Sequence, residues 1–440
     1  MNSTSNILKI TYPIFLTLLA QNLINIVDTA FLGRVSEVAL GASAIAGVYF
    51  FALYVVGFGF SQGAQILIGR RNGEENYNQV GPVFNNGMVF IVLLAFAFLG
   101  LGLLVNSAAM RVMVSSPAIF EAAMEYLDWR IYGFLFGFIN AMYRAFYVGI
   151  TQTKVLTISA VITTITNILL DYCLIFGHFG FPEMGIAGAA LASVIAEALA
   201  TLYLFYYTST KKENEKYELF KNLKLNIKAI GQILSLSVFI MFQFFVSIST
   251  WFLFFLFIER MGERPLAVTN IGRSMYIFLM IPAQALSTIA GTLVSNMIGA
   301  GLKEEVLHTV HKIMRLAIVL VVPLLVFTFF FPSFFASIYT DDAGLVLASI
   351  PVIKVVAVAV ALFTIGNIIV NAISGTGNTK TALVIEVATL VFYISYVYIT
   401  AIVFPQPVYV VWMSEFVYWV FIGLLGYLYL MKGKWREKQI

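Results

Sequence analysis

The sequence predicts an all-α integral membrane protein with twelve transmembrane helices, in two six-helix lobes related by a parallel internal repeat. Three observations predict it: the composition, the apolar runs and a recurring set of residues. Of the 440 residues, 60% are hydrophobic and only 11% are charged, and the mean hydropathy is +0.92. Soluble globular domains carry about 25% charged residues. The chain is therefore too apolar to be a water-soluble globule.

Apolar runs of about 20 residues, the length that crosses the hydrocarbon core as a helix, occur twelve times. In lipid every backbone N–H and C=O must be satisfied within the segment, so each run is predicted to be a helix. The predicted spans are 8–32, 42–68, 81–105, 126–150, 155–179, 186–208, 229–258, 266–298, 313–338, 345–373, 381–403 and 408–431.

Basic residues are concentrated at one end of these spans. Cytoplasmic loops carry the excess of Lys and Arg, so both termini are predicted to be cytoplasmic. The most charged stretch, 209–228, lies between the sixth and seventh spans. It is predicted to be a cytoplasmic linker between an N-terminal lobe, 1–208, and a C-terminal lobe, 229–440. The low charge and the usage of Lys, Asn and Ile predict a bacterial inner-membrane protein.

The two halves resemble each other at one fixed offset. The matched positions are Arg34, Glu37, Leu40 and Ile45 with Arg260, Glu263, Leu266 and Ile271, and Gly149, Thr153 and Lys154 with Gly375, Thr379 and Lys380, all 226 positions apart (260 − 34). Because each half holds an even number of spans, both copies have the same orientation and the repeat is parallel. Transporters with such repeats bind substrate between the halves, so a cavity is expected there.

Composition and motifs exclude several classes of function. The formal charge of +4 is small and scattered, so nucleic acid is not an expected partner. A single cysteine, Cys173, cannot form an internal disulfide. No phosphate-binding P-loop is present, so neither ATP nor a cofactor is expected. Gly59, Ser61 and Gly63 fit the pattern of a nucleophile elbow, but the serine lies in an apolar run without a histidine base, so no enzymatic activity is predicted.

Two aspartates are predicted to lie inside the membrane at one height. A rise of 1.5 Å per residue from the nearest cytoplasmic lysine places Asp28 roughly 28 Å and Asp171 roughly 26 Å from that face. A carboxylate in hydrocarbon is costly and marks a functional site by default. Each aspartate also ends a polar stripe at helical spacing, with Asn25 before Asp28 and Asn167 before Asp171.

The second half is predicted to lack this cluster. The offset of the repeat maps Asp28, Asn167 and Asp171 onto Phe254, Tyr393 and Val397. A proton or cation site is therefore expected in the first half alone. Two neighbouring carboxylates titrate as a coupled pair, which suits a proton carrier, and the same oxygens with that of Asn167 suit sodium. The alternative that stays open is that both aspartates only hydrogen-bond neighbouring helices.

Other charged residues in the spans receive different predictions. Glu197 lies at a similar depth on the sixth span and is predicted to belong to the cation site. Glu386 and Glu415 lie near the ends of their spans and are predicted to be solvated. Arg130 is predicted to contact another helix or to extend its charge to the interface.

Several motifs together resemble the multidrug and toxic compound extrusion (MATE) family. They are VDTAFLGR at 27–34, NILLD at 167–171, and the paired turns GITQTK at 149–154 and GTGNTK at 375–380. The resemblance covers nearly the whole chain. It implies two lobes around a central cavity and efflux of organic, often cationic, compounds driven by inward flow of protons or sodium.

The resemblance also implies positions for the sites. The family's first-lobe cation site falls on Asp28, Asn167 and Asp171, with Ser193 as a contributing hydroxyl. One branch carries acidic residues in the second lobe, where this chain has Gln243, Asn367 and Asn371, so it resembles the DinF-like branch more closely. The predicted proton- or cation-binding residues are Asp28, Asn167, Asp171, Ser193, Asn25, Asn140 and Glu197, and the predicted cavity residues are Gln21, Tyr49, Phe50, Tyr54, Tyr143 and Gln243.

The sequence thus predicts a secondary active antiporter that exports organic, cationic or lipophilic compounds in exchange for protons or sodium by alternating access. Its expected partners are a small organic molecule and the lipid bilayer, and the expected state is a monomer. The alternative is a flippase for a lipid-linked oligosaccharide or lipid, which would share the fold. A flippase cavity should carry basic residues for a pyrophosphate, whereas the first half of this chain carries acids.

Overall fold

The structure is a computed structural model that describes residues 3–221 and 225–438. Residues 1–2, 222–224 and 439–440, which include part of the predicted linker and the outermost residues of both predicted cytoplasmic termini, lie outside the described residues. Within the described ranges the chain is helical and contains no strand. Helices satisfy their own backbone polar groups, which a lipid environment requires of spanning segments.

Seven helices form the first half of the described chain. Ser36 begins the second of them, because its hydroxyl accepts a hydrogen bond of 3.0 Å from the backbone N–H of Ala39. The helices are α1 (Thr4–Val35), α2 (Glu37–Gly73), α3 (Tyr77–Met113), α4 (Pro117–Arg130), α5 (Gly133–Gly149), α6 (Lys154–Phe176) and α7 (Gly185–Thr210). A short 3-10 helix, Lys212–Tyr217, follows inside the predicted linker.

Eight helices form the second half of the described chain. Asp342 begins the fifth of them, because its carboxylate accepts hydrogen bonds from the next backbone N–H groups. The helices are α8 (Ile227–Glu259), α9 (Glu263–Gly299), α10 (Val306–Phe330), α11 (Pro332–Ala336), α12 (Ala343–Gly375), α13 (Thr379–Tyr398), α14 (Val408–Trp412) and α15 (Ser414–Lys432). A π-helical turn, Ile399–Val403, follows α13.

The fourth span differs from its prediction. The sequence predicts one helix over 126–150, and this is wrong, because the structure divides the segment into α4 and α5 at Ile131 and Tyr132. The N–H groups of Phe134 and Leu135 bond to carbonyls only three residues earlier, at 3.1 and 3.2 Å, which is the pattern of a tight 3-10 turn. Eleven other described segments are long and apolar enough to cross a membrane, and α4 with α5 completes the twelve.

The chain folds into two compact units. The N-unit is Leu16–Met241, and the C-unit is Met1–Phe15 with Phe242–Ile440. In the C-unit the ring of Trp412 lies 5.3 Å from that of Phe254, and both are fully buried in its apolar core. In the N-unit, alanines of α2 pack with apolar side chains of α3, α4 and α7. The lobe boundaries drawn from the sequence stay a prediction.

Large apolar side chains cover the outside of both units. Leu104 is 82% exposed and Val112 is 89% exposed in the N-unit, and Val319 is 68% exposed in the C-unit. Soluble monomers rarely expose contiguous apolar surface of this kind. These helix faces are therefore the ones that contact lipid.

Glycines permit close helix crossings at equivalent places in the two units. A Cβ at Gly375 of α12 would overlap the carbonyl oxygen of Gly291 in α9, and a Cβ at Gly291 would lie 2.8 Å from the carbonyl oxygen of Asn371. In the N-unit a Cβ at Gly149 of α5 would lie 3.2 Å from the carbonyl oxygen of Gln65 in α2. Gly149 and Gln65 correspond to Gly375 and Gly291 at the offset of the repeat.

Replacing Gly375 with alanine is expected to destabilise the C-unit, because the added methyl group pushes α12 away from α9. Overpacking of this kind costs about 1–3 kcal/mol. The midpoint of thermal unfolding in detergent should fall by roughly 2–8 °C. The control is Gly423→Ala in α15, where a Cβ would meet its nearest heavy atom at 3.9 Å. Equal midpoints for the two variants would contradict the close crossing.

Candidate functional site

Four polar side chains from α1, α6 and α7 meet in the N-unit, with Asn167 between the others. Its amide nitrogen lies 3.2 Å from Asp28 Oδ1 and 3.2 Å from Asp171 Oδ2, and its oxygen accepts a hydrogen bond of 3.2 Å from Ser193 Oγ. The neighbours fix this orientation, because a carboxylate oxygen needs an N–H or O–H donor. The structure thus brings four of the predicted cation-site residues into one cluster.

The carboxyl groups of Asp28 and Asp171 lie close enough together to interact directly. Asp171 is fully buried, and its Oδ1 has no hydrogen-bond partner among the described residues. Two neighbouring carboxylates repel each other, and a proton held between them removes that repulsion and supplies the missing donor. The pair can therefore hold one proton.

The same cluster offers oxygen ligands to a sodium ion, since hard cations bind carboxylate and amide oxygens. The amide oxygen of Asn167 faces Ser193, so it can coordinate a cation beside the aspartates only after the amide rotates. No group of three or more His, Cys, Asp or Glu side chains that could hold a metal occurs within residues 3–221 and 225–438. The described arrangement fits a proton directly and fits sodium after that rotation.

A second polar cluster lies one helical turn away from Ser193. Glu197 of α7 forms a bidentate ion pair with Arg130 at the end of α4, with Nη2 to Oε1 at 2.7 Å and Nη1 to Oε2 at 3.1 Å. Asn140 Nδ2 donates to the backbone carbonyl of Glu197 at 3.0 Å. Arg130 also interacts electrostatically with Asp28. Both clusters therefore include a residue of α7, and the charged groups of one cluster interact with those of the other.

Two predicted cavity residues border this ion pair. The Cζ atom of Arg130 lies 4.1 Å from the centre of the Phe50 ring, which is within the range of a cation–π contact. Tyr54 lies one turn further along α2, and its hydroxyl interacts electrostatically with Glu197. The same hydroxyl is 3.5 Å from the carbonyl oxygen of Gly137. An aromatic wall on α2 therefore faces the ion pair.

Four other predicted residues lie outside both clusters. Gln21 and Asn25 are exposed on the surface of α1. Tyr49 donates a hydrogen bond of 3.0 Å to Asn106 Oδ1. Tyr143 is only 2% exposed, and its ring lies 5.5 Å from a phenylalanine ring of α3. It is therefore a core residue in this structure and not part of a cavity wall, because apolar packing against α3 encloses it.

The C-unit contains a buried carboxyl group that sequence analysis placed in solvent. Glu386 of α13 is only 2% exposed. It accepts hydrogen bonds from Ser247 Oγ at 2.6 Å, from Gln243 Nε2 at 3.3 Å and from the hydroxyl of Tyr418. The prediction of a solvated glutamate is wrong, because donors from α8 and α15 take the place of water. Gln243, predicted to line the cavity, belongs to this cluster.

A second buried carboxyl group of the C-unit corrects another prediction of a solvated glutamate. Glu415 of α15 is 4% exposed and accepts hydrogen bonds from Tyr276 OH at 2.7 Å, Trp419 Nε1 at 3.1 Å and Tyr393 OH at 3.3 Å. It is not solvated at the outer end of its span. Tyr393 occupies the position that the repeat pairs with Asn167. The C-unit therefore has a polar cluster of its own, with a tyrosine hydroxyl where the N-unit has an amide, while Phe254 and Val397 stand at the positions of the two aspartates.

These C-unit clusters left a weak signal in the sequence. Gln243 and Ser247 are four residues apart on α8, and Glu415 and Trp419 are four residues apart on α15, so each pair lies on one helix face. Polar pairs at this spacing inside apolar runs indicate a face that turns inward. The depth of each glutamate, counted from the nearest charged residue, did not indicate these clusters.

A membrane-spanning helical bundle that repeats one six-span segment and carries carboxyl groups inside its helices defines a polytopic membrane transporter. The MatE family model matches residues 13–173 and again residues 239–399. The two matches begin 226 positions apart (239 − 13), which is the offset of the repeat. The chain therefore belongs to the MATE family of transporters.

Relatives and solved structures agree with this assignment. The probable multidrug resistance protein NorM of Thermotoga maritima is 26% identical over 441 residues, covering 99% of this chain and 93% of the relative. NorM of Listeria innocua is 26% identical over 77% of this chain and 74% of its own. A MOP superfamily transporter from Pyrococcus furiosus has a TM-score of 0.89 at 17% identity, covering 99% of this chain and 96% of that one. A mutant of the Vibrio cholerae MATE transporter VcmN has a TM-score of 0.90 at 15% identity, covering 99% and 98%.

The predicted fold class is thereby confirmed: an all-α membrane protein of twelve spans with a parallel internal repeat. Because the identities are low, the similarity to the solved structures supports the fold alone and does not locate any site. The positions of the polar clusters come from the contacts described above.

Tyr276→Phe is expected to destabilise the C-unit, because it removes the shortest described hydrogen bond to Glu415. A bond to a charged or buried group contributes about 1–3 kcal/mol, so the unfolding midpoint in detergent should fall by roughly 2–8 °C. Tyr398→Phe is the matched control, since Tyr398 is 49% exposed in the same unit. A midpoint for Tyr276→Phe as high as that of the control would show that Glu415 does not need this donor.

Proposed function

We propose that this transporter is a secondary active antiporter that exports organic, cationic or lipophilic compounds in exchange for protons or sodium by alternating access. The observation that carries the proposal is the close pair of carboxyl groups, Asp28 and Asp171, on either side of the Asn167 amide. Such a pair inside membrane helices has no structural advantage over apolar packing. The relatives named as probable multidrug resistance proteins support export of organic compounds.

Loss of the shared proton supplies the driving force for a conformational change. Without that proton two negative charges face each other, and at 4 Å they repel by about 4 kcal/mol at the effective dielectric constant of a protein. This energy corresponds to roughly a thousandfold shift in a two-state equilibrium. Protonation therefore favours the arrangement in which α1 and α6 are joined, and the deprotonated pair favours a conformation in which they separate or hold a cation.

The substrate side of the proposal rests on the aromatic residues of α2. Phe50 and Tyr54 present ring faces beside a carboxylate, and ring faces attract organic cations. Tyr49, the residue before Phe50 on the same helix, is also a cavity residue in this proposal. Gln21 and Gln243 stay cavity residues in this proposal as polar groups that hydrogen-bond a bound compound.

The proposed setting is a bacterial inner membrane, with both termini and the linker 209–228 in the cytoplasm and a monomer as the working state. The lobes 1–208 and 229–440 are proposed to be the two bodies that move. The concentration of basic residues at one end of the spans supports this orientation.

A place in the DinF-like branch is also proposed. Asn367 Nδ2 donates to Gln284 Oε1 at 3.0 Å, and Asn371 Nδ2 donates to the carbonyl oxygen of Asn367 at 2.9 Å. Amide groups thus satisfy one another on α9 and α12. Neutral amides in this region support coupling through the N-unit rather than through acidic residues of α12.

Asp28→Asn and Asp171→Asn are each expected to abolish gradient-driven ethidium transport, because either change removes the exchangeable proton of the pair. The measurement is ethidium flux in proteoliposomes under an imposed proton gradient, an imposed sodium gradient, or none. The gradient that drives flux in the wild-type protein identifies the ion.

Asp128→Asn is the matched control, since Asp128 is an exposed aspartate on α4 of the same unit. Its flux should equal that of the wild-type protein. Normal gradient-driven flux in both Asp28→Asn and Asp171→Asn would reduce the carboxyl pair to a helix contact and overturn the proposal.

A further inference from the structure

The guanidinium of Arg130 occupies a well-defined binding environment inside the N-unit. Glu197 holds it through two hydrogen bonds, and the Phe50 ring faces its Cζ atom at 4.1 Å. Gly133 leaves room for it, because a Cβ at that position would overlap the guanidinium. The side chains of Arg130 and Glu197 keep 13% and 20% of their surface exposed, so the pair is not completely enclosed by its neighbours.

A carboxylate beside the face of an aromatic ring is the environment that recognises a planar organic cation. Arg130 supplies such a cation from the protein itself. We propose that Glu197 and Phe50 form a binding site for planar organic cations, and that Arg130 is a tethered competitor that fills this site when no substrate is bound. The inference rests on the proposed function and specifies its substrate class and site.

A displaced guanidinium needs a new partner, because an unpaired charge inside the helices costs several kcal/mol. Asp28 is within electrostatic reach of Arg130. The hydroxyl of Tyr126, on the same helix as Arg130, interacts with Arg130, Asp28 and Glu197, so all three charged groups lie around one side chain. Arg130 therefore turns from Glu197 to Asp28 when a cation enters.

Other ionisable groups near the site do not change partners in this scheme. Tyr54 on α2 and Tyr126 on α4 are hydroxyl donors that stay neutral near pH 7. Arg144 on α5 interacts with Tyr54, and its Cζ atom lies 5.3 Å from the Phe58 ring. Within residues 3–221 and 225–438 Arg144 forms no ion pair. It therefore supplies a matched control for Arg130.

The test measures ethidium affinity of the full chain in detergent by fluorescence anisotropy. Arg130→Met removes the competitor and is expected to bind ethidium about tenfold more tightly than the wild-type protein. Glu197→Gln keeps the shape of the side chain without its charge and is expected to bind about tenfold more weakly. Affinity changes in opposite directions would support the competitor role of Arg130. If the ion pair were purely structural, either variant would break it, and both would change the ethidium affinity in the same direction.

Two controls complete the binding experiment. Arg144→Met removes a half-buried arginine beside an aromatic ring of the same unit and is expected to leave the affinity unchanged. If Arg130→Met does not yield folded protein, Arg130→Lys replaces it, because lysine cannot form the bidentate pair and competes less well. Arg130→Lys should then bind ethidium more tightly than the wild-type protein, and equal or weaker binding would overturn the inference.

These outcomes separate the inference from the proposed function. Gradient-driven flux in the wild-type protein together with equal shifts in Arg130→Met and Glu197→Gln would retain the antiporter and reject the tethered competitor. Opposite shifts without gradient-driven flux in the wild-type protein would retain the cation site and reject the coupled antiporter.

Discussion

Both units are organised around buried carboxyl groups, because enclosing such a group among apolar helices has a large free-energy cost. Removing such a group from water costs several kcal/mol unless other groups replace the lost hydration. Asp171 finds replacements on its own helix, Glu197 finds them on α4, and Glu386 and Glu415 find them on neighbouring helices of the C-unit. Each acidic side chain therefore fixes the position of helices that apolar contacts alone would leave free to slide.

The two units meet this cost with different chemistry. The N-unit uses a pair of carboxyl groups, an amide and a guanidinium, which are groups that can bind or release an ion or can rotate to another partner. The C-unit uses tyrosine hydroxyls, a serine hydroxyl, an amide and an indole, which keep the same charge near neutral pH. The exchangeable chemistry is therefore concentrated in the N-unit, and Glu386 and Glu415 act as fixed anchors of the C-unit.

Features that depend on one helix were predictable from the sequence, and features that depend on two were not. Hydropathy gave the spans, and counting from a basic residue gave the common height of Asp28 and Asp171. The same counting failed for Glu386, because its solvation is decided by Ser247 and Tyr418 on other helices. Likewise the break in the fourth span accompanies the pairing of Arg130 with a residue 67 positions away. The apolar composition of residues 126–150 does not indicate that partner.

The direction in which a side chain points from its helix could also not be predicted from the sequence. Tyr143 and Tyr54 lie in similar apolar surroundings along the chain, yet one is enclosed in the core and the other faces the ion pair of Glu197. The glycine crossing at the end of α12 shows a further difference between the units. At the equivalent crossing the N-unit pairs Gly149 with Gln65, whereas the C-unit has glycine at both positions, Gly291 and Gly375, and its backbones are in contact. Neither glycine of the C-unit can be exchanged for a larger residue without moving a helix, so this crossing restricts the sequence at two positions.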